Sequence, residues 1–341
     1  MSGEQNRVGL ALSGGGSRAV AFHYGVLEAF YDLNLVKKID VVSAISGGAI
    51  IGALFNLYAS NRDALKEKIE FILKDGLQSS LYRKLFDIRW LLHQGVHPDS
   101  LADILDKKLF HGILLKDIPE RPLLILNATD LKRGCGFKFG KEVCGSYRDG
   151  GFVLPSLRLS QAVAYSAAFT LCLSVKKLRL SENEYAYLTD GGVYDGLGVN
   201  ALFPDKDEKS ILSQSCETII VSDASFPYQE NPPGISFFAK NRLESAHYCS
   251  GQRNRSLIYN KLFLLQKSGQ LKNVGTIKMD SKHADLTEGW KDEELKFINR
   301  YRTDFKPVVA RAASLLKGRG EREAHVIVSK HLSNLIGGNN G

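Results

Sequence analysis

Cysteine, proline, methionine and tryptophan are scarce in this 341-residue chain, at 5, 9, 2 and 2 residues. The five cysteines, Cys135, Cys144, Cys172, Cys216 and Cys249, are odd in number, scattered, and nowhere form a Cys-x-x-Cys pair. That argues against a disulfide-stapled scaffold and against a cysteine zinc or redox centre, and it fits reduced thiols in a cytoplasm. No basic, apolar, small-residue leader opens the chain, because Glu4 and Arg7 lead directly into an apolar stretch. A cytoplasmic protein is therefore expected. Internal repeats and low-complexity tracts are also missing, which excludes solenoids and disordered arrays.

Long apolar runs are nearly as rare. From Val41 to Asn61 there is no charged residue, and the stretch is long enough to cross a bilayer core. Ser43, Ser46, Gly47, Gly48 and Gly52 punctuate it, so it reads as a buried strand, a turn and a small-residue helix. Lys and Arg outnumber Asp and Glu by 45 to 37, for a net charge of +8. The excess is spread over pairs such as Lys37-Lys38 and Lys176-Lys177. Without a dense block or interleaved aromatics it makes no nucleic-acid platform, although it suits an anionic lipid surface.

What is present is a layered α/β pattern. With 44% hydrophobic residues, a chain this long can bury about 75% of its unfolded surface. Val8 to Ser13 reads as a strand, Ala19 to Leu33 as a helix, Val41 to Ile45 as a strand and Gly47 to Ala59 as a helix. Such strand, loop, helix units imply a parallel sheet with helical crossovers. Asn61 to Phe110 reads as a helical insertion broken near Gln94 to Asp99. Leu123 to Ala128 is a strand, Phe137 to Phe139 a hairpin arm, Ser160 to Ala168 a small-residue helix and Tyr185 to Thr189 a strand. Thr218 to Ser222 is another strand, and Pro227 to Gly234 a proline-rich loop. Phe237 to Gln266 is helical, Val274 to Met279 a late strand, Asp292 to Leu316 mostly helix and Gly337 to Gly341 a frayed tail.

Chemistry concentrates at three places. Ser13-Gly14-Gly15-Gly16-Ser17-Arg18 ends the first strand, and such a turn offers unencumbered N–H groups to a developing oxyanion. Ala44-Ile45-Ser46-Gly47-Gly48 ends the second; it matches the strand-to-helix elbow Gly-x-Ser-x-Gly with alanine for the first glycine, and presents Ser46 as a nucleophile. Asp190-Gly191-Gly192 ends the strand at Tyr185 to Thr189. Asp190 suits a general base only if burial raises its proton affinity, with Leu188 and Val193 as apolar walls. Asp149-Gly150-Gly151 repeats the tripeptide but reads as a surface turn beside Arg148, and Asp223 is a further strand-end carboxylate. His23, His247, His283, His325 and His331 read as core or surface histidines rather than triad bases.

These blocks resemble the patatin-like phospholipase family in kind and in order: the glycine loop Ser13 to Arg18, the elbow Ala44 to Gly48, the small-residue helix Ala162 to Ala168 and Asp190 to Gly192. The similarity spans residues 7–203, with Ala19 where the family has glycine. It implies a single domain over 1–341, in which 204–341 supply further strands and a helical C-terminal part. The implied fold is three-layered, with a mainly parallel central sheet and helices on both faces. It further implies Ser46 as nucleophile, Asp190 as sole base, and N–H groups at Gly14, Gly15 and Gly16 as the oxyanion hole with Arg18 supporting the loop. No metal or other cofactor is expected. The substrate would be membrane phospholipid, met by peripheral association with the inner face of the membrane. Some bacterial members of this size act as antiviral effectors switched on by cyclic nucleotides; Arg253 and Arg255 are the basic residues available to such a ligand, and a homo-oligomer is an accompanying expectation.

A rival reading is a dinucleotide-binding protein using Gly14, Gly16 and Ala19, with Asp40 as the ribose acid. Asp40 begins its strand instead of ending it, and that reading leaves Ser46 and Asp190 unexplained. A phosphate loop of the NTPase kind is excluded because no Gly-Lys-Ser/Thr follows the glycines.

Overall fold

A computed structural model describes residues 7–77, 97–169, 173–205, 207, 209, 212–225 and 239–336. The proline-rich loop, the tail and the break at 94–96 lie outside the described residues. Among the described residues the strands are β1 Val8–Leu12, β2 Val41–Ala44, β3 Leu123–Asp130, β4 Cys135–Phe139, β5 Cys144–Ser146, β6 Gly150–Phe152, β7 Lys176–Arg179, β8 Tyr185–Asp190, β9 Thr218–Asp223 and β10 Asn273–Lys278. The central five run β10-β9-β1-β2-β3, all parallel. Beyond β3 the sheet turns antiparallel through β4, β5 and β6, while β8 and then β7 attach to β3 antiparallel as well.

Alternation along the parallel strands fills two separate cores. Leu10, Leu12, Val42, Ala44, Leu124, Leu126 and Ile220 face one; Ala11, Val41, Ile125, Ile219 and Val221 face the other. Strands buried on both faces need cover on both. The first face is covered by α1 Gly16–Asp32, α2 Gly47–Tyr58, α3 Arg62–Asp75, α4 Pro98–Leu105 and α5 Leu159–Ser166. The second is covered by α6 Ala239–Lys267, through Leu262 with Ile258 and Leu265, and by the turn Leu197 to Leu202. The fold is thus mixed α/β with three layers, as expected.

The C-terminal region departs from the sequence reading. Asp292 to Leu316 is mostly helix, as expected, but in two pieces: α7 Ala284–Thr287 and α8 Asp292–Arg300 are followed by a non-helical stretch, then α9 Ala310–His331 and α10 Ser333–Ile336. Pro307 explains the break, since it cannot donate to a helix and pushes Lys306 out of helical geometry. α9 crosses α1 backbone to backbone: a Cβ on Gly25 would lie 1.9 Å from the Lys317 carbonyl oxygen, and one on Gly320 2.1 Å from that of Phe22. Two glycines therefore seat the last long helix against the first.

Candidate active site

Ser46 is the second of the two residues between β2 and α2, at φ 53° and ψ −119°. A residue with a Cβ is strained there by roughly 1–3 kcal/mol, and such strain persists only where neighbours over-determine it. They do so here. A Cβ on Gly47 would sit 2.4 Å from the Gly16 carbonyl oxygen, and one on Gly48 2.5 Å from those of Leu12 and Ser13. The absent side chains let the elbow lie directly on the glycine loop. The Ser46 N–H donates to Ser166 Oγ (3.0 Å), whose hydroxyl donates to the Asn127 carbonyl (2.6 Å). Asn127 Nδ2 in turn donates to Ser43 Oγ (2.9 Å) and the Ala44 carbonyl (3.2 Å). α5 and β3 thereby hold the end of β2.

Sheet register delivers Asp190. β2 pairs with β3 as far as Ala44 opposite Leu126, and β8 then pairs with β3 at Ala128, opposite Asp190. Since β4 already occupies the other edge of β3 at Phe137, β8 continues the edge that β2 vacates. Asp190 is thus set just past the end of β2, where the chain turns through Ser46. The strand was expected; its antiparallel direction was not. Asp190 is held at both backbone ends, its N–H donating to the Ala168 carbonyl (3.0 Å) and its carbonyl accepting from Thr129 Oγ1 (2.9 Å).

The Asp190 carboxylate accepts from the Gly192 N–H (2.8 Å), and the Ser46 hydroxyl is close enough to act on it. Burial lifts its pKa from the ordinary carboxylate value to about 6, against the opposing pull of that N–H and of the Ser46 hydroxyl. Ser46 and Asp190 retain 8% and 6% of their exposure, so the pair is shielded by protein on nearly every side. Leu188 is buried as expected, whereas Val193 is 39% exposed and is no wall. Ile45 takes that place, its Cγ2 lying 3.0 Å from where a Cβ on Gly191 would stand.

The glycine loop completes the group. Gly15 and Gly16 have φ of 141° and 60°, and α1 starts at Gly16. A Cβ on Gly14 would lie 3.3 Å from Ser46 Cβ, so the loop runs beside the elbow. Among the described residues no acceptor meets the N–H of Gly14 or Gly15. Arg18 does not line the site. Its fully buried guanidinium donates to the carbonyls of Ala224 (2.8 Å) and Tyr301 (3.2 Å), tying the loop to the chain beyond β9 and after α8. Burial lowers its pKa to about 10. The Ser17 N–H meets the Asp304 carbonyl (2.7 Å).

The other candidates fall elsewhere. Asp149 caps the β5–β6 hairpin by accepting from Ser146, and it pairs with Arg133 Nε at 3.0 Å, not with Arg148. Asp223 is fully buried at the end of β9, where Arg255, Tyr259 and the Ser225 N–H outweigh burial and hold its pKa below the usual range. Arg255 also forks onto Asp280 (2.9 and 2.8 Å), which engages it fully; Arg253 is exposed. Asp40 accepts from the Val8 N–H at the entry of β1, the end of the sheet opposite to that where dinucleotides bind. His23 is in the core, and His247 meets Phe169 edge to face. His283, His325 and His331 lie in or beside C-terminal helices. Asp32, Glu321 and His325 bring ligating atoms within 4.8 Å of one another, away from these loops. Ser166, Asn127 and Thr129 are site residues that no sequence pattern singles out, because their role rests on long-range pairing.

A hydroxyl, a carboxylate of raised proton affinity and a run of backbone donors around one point suit acyl transfer. Solved structures of a human enzyme share the fold. The human GIVD cytosolic phospholipase A2 superposes with a TM-score of 0.55 at 13% identity, over 97% of this chain and 63% of that one. Its complex with methyl gamma-linolenyl fluorophosphonate and terbium chloride gives 0.54 at 14% identity, over 97% and 59%. VipD from Legionella pneumophila gives 0.42 at 13% identity, over 96% and 67%. The chain thus spans less than two thirds of the human enzyme's length. No curated protein sequence matches it. The family model for patatin-like phospholipases matches residues 10–203, a span that takes in the glycine loop, the elbow and the Asp190 turn: the chain belongs to the patatin-like phospholipase family.

Proposed function

We propose that the chain is a lipid acyl hydrolase of the phospholipase A type, working through a Ser46–Asp190 dyad. The meeting of the Ser46 hydroxyl, a buried Asp190 carboxylate and the Gly14 loop at one point carries this reading. Asp190 takes the hydroxyl proton as Oγ attacks an acyl ester carbonyl, and the N–H groups of the Gly14 to Gly16 loop receive the oxyanion. The protonated Asp190 then gives its proton to the departing alcohol, leaving an acyl-enzyme. In the second half Asp190 deprotonates a water that attacks the acyl carbon, and the proton returns to Ser46 as the fatty acid leaves. Each role is filled by this chain's own residues, so EDTA is expected to leave the rate unchanged.

A membrane substrate is supported by α6. Leu243, Leu257 and Leu264 are 61%, 49% and 61% exposed, and their spacing of fourteen and seven residues puts them on one side of the helix. Arg242 and Arg253 are exposed among them. The same helix reaches the site's surroundings, His247 meeting Phe169 edge to face and Asn254 donating to the Tyr194 carbonyl (2.7 Å). An apolar stripe edged with arginine suits an anionic bilayer. Activation by a cyclic nucleotide is a second arm of the proposal, supported only by the exposed Arg253; hydrolysis rates unchanged across a panel of cyclic nucleotides would remove it.

The test is mass spectrometry of products from mixed bacterial phospholipids. Wild-type protein is expected to release fatty acids and lysophospholipids, and Ser46→Ala and Asp190→Asn to release neither while remaining folded. Full activity in either variant would overturn the dyad.

A further inference from the structure

His23 lies on α1 with no exposed surface, and both ring nitrogens are engaged: Nε2 is 2.9 Å from the Ser13 carbonyl and Nδ1 is 2.7 Å from Ser222 Oγ. A carbonyl can only accept, so Nε2 carries the proton; Nδ1 is then the acceptor and the Ser222 hydroxyl its donor. The residue beyond that carbonyl is Gly14, the loop residue beside Ser46. In a trans peptide the carbonyl of one residue and the N–H of the next point in opposite directions. Whatever fixes the Ser13 carbonyl therefore fixes the Gly14 N–H. Resting on the acyl-hydrolase reading above, we propose that His23 is a positioning residue, whose Nε2–H anchors the Ser13–Gly14 peptide and keeps the Gly14 N–H aimed at the oxyanion formed on Ser46.

The surroundings suit this role. Ser13 is pinned along its length, with its N–H on the Ser222 carbonyl (3.1 Å) and its Oγ accepting from the Ala224 N–H (2.8 Å). The His23 carbonyl contact is thus one of several that set this peptide, and the one that reaches its plane from α1. Burial lowers the ring's pKa to about 4, against the hydrogen bond to Ser13 and the nearby Asp223 carboxylate. A ring that stays neutral offers the same donor throughout the range in which Asp190 ionises.

The test compares wild type, His23→Leu, His23→Gln and Ser46→Ala on a soluble short-chain ester, alongside inactivation by a methyl alkyl fluorophosphonate. Outright loss of one oxyanion donor costs about 10²–10³ in kcat, so misaiming one should cost His23→Leu about 10- to 100-fold, with KM within about threefold. Fluorophosphonate inactivation should slow in the same ratio. His23→Gln, which keeps an N–H donor, should recover to within about fivefold of wild type. A folded His23→Leu with unchanged kcat, or a His23→Gln as slow as His23→Leu, would overturn the proposal. Imidazole nitrogen NMR on the native protein gives a readout independent of activity and of how the variants fold. One neutral Nε2–H tautomer from pH 5 to 9 is expected, and an Nδ1–H tautomer or titration near pH 6.5 would overturn it. Undiminished activity of Ser46→Ala would instead overturn the hydrolase reading while leaving the tautomer result to stand.

Discussion

Two residues hold the tension in this molecule, a serine in a backbone conformation suited to glycine and a carboxylate with little access to water. Asp190 has a folded-state pKa of about 6 against an ordinary value of 3.8. The ester-hydrolysis rate should therefore rise with pH through about 6, as the base form accumulates, and a profile flat from pH 5 to 8 would rule Asp190 out as the base. Stability moves the opposite way. A raised carboxyl pKa contributes stability that is complete below pH 3.8 and is lost as pH climbs through 6. Asp190→Asn removes that penalty, and by the size of the shift should be more stable than wild type by up to ~3 kcal/mol at pH 7 and by little at pH 4. Urea unfolding at the two pH values checks it. At Ser46, replacement by glycine should give a fold about 1 kcal/mol more stable than replacement by alanine, since only glycine relaxes at φ 53°.

At the scale of elements, α5 fastens two strand ends through one hydroxyl. Ser166→Ala would strand the buried Ser46 N–H and Asn127 carbonyl, at about 1–3 kcal/mol. Its activity should fall further than that of Gln161→Ala, which removes the cap on the Arg158 N–H at the start of α5, as comparative kinetics would reveal. The strand, loop, helix units through Tyr58 were legible because uninterrupted apolar runs between glycine turns admit few other readings. Strand direction was not legible: nothing in Tyr185 to Asp190 distinguishes a parallel strand from an antiparallel one, and direction follows from which edge of β3 remains open. β5 and β6 escaped because Gly145, Tyr147 and Arg148 look too polar for a sheet, yet an outlying hairpin tolerates them. The break after Arg300 is marked in the sequence by Pro307, within a stretch that is otherwise mostly helix. Ser46, Asp190 and the glycines were legible because acyl transfer requires particular residue types on tight turns. The supports of Arg18 and Ser17 were not, since Ala224, Tyr301 and Asp304 contribute backbone carbonyls that any residue could supply.

Across the whole molecule, the part after residue 203 is wound into the part before it. β9 lies beside β1 in the sheet, α9 crosses α1 at paired glycines, and Arg18 and Ser17 end on carbonyls from the later half. We therefore expect a fragment ending at residue 203 to be neither folded nor active, as circular dichroism and ester hydrolysis would show; a folded, active fragment would demonstrate that the remainder is dispensable. The Asp223–Arg255–Asp280 cluster is a second tie of this kind, joining β9, α6 and the end of β10. Arg255→Ala would leave a buried carboxylate unpaired, at about 3–5 kcal/mol, and should lower the thermal midpoint by several degrees.

The contact of Gly47 and Gly48 with the backbone of the glycine loop bears on how such a protein can diversify. With carbonyl oxygens standing where side chains would begin, the backbone beneath Ser46 has no room to vary, and mutational libraries spanning it should return almost nothing but inactive clones. Changes in preference among lipids must then be written at the rim, in the helices whose side chains face outward, leaving the machinery beneath them untouched.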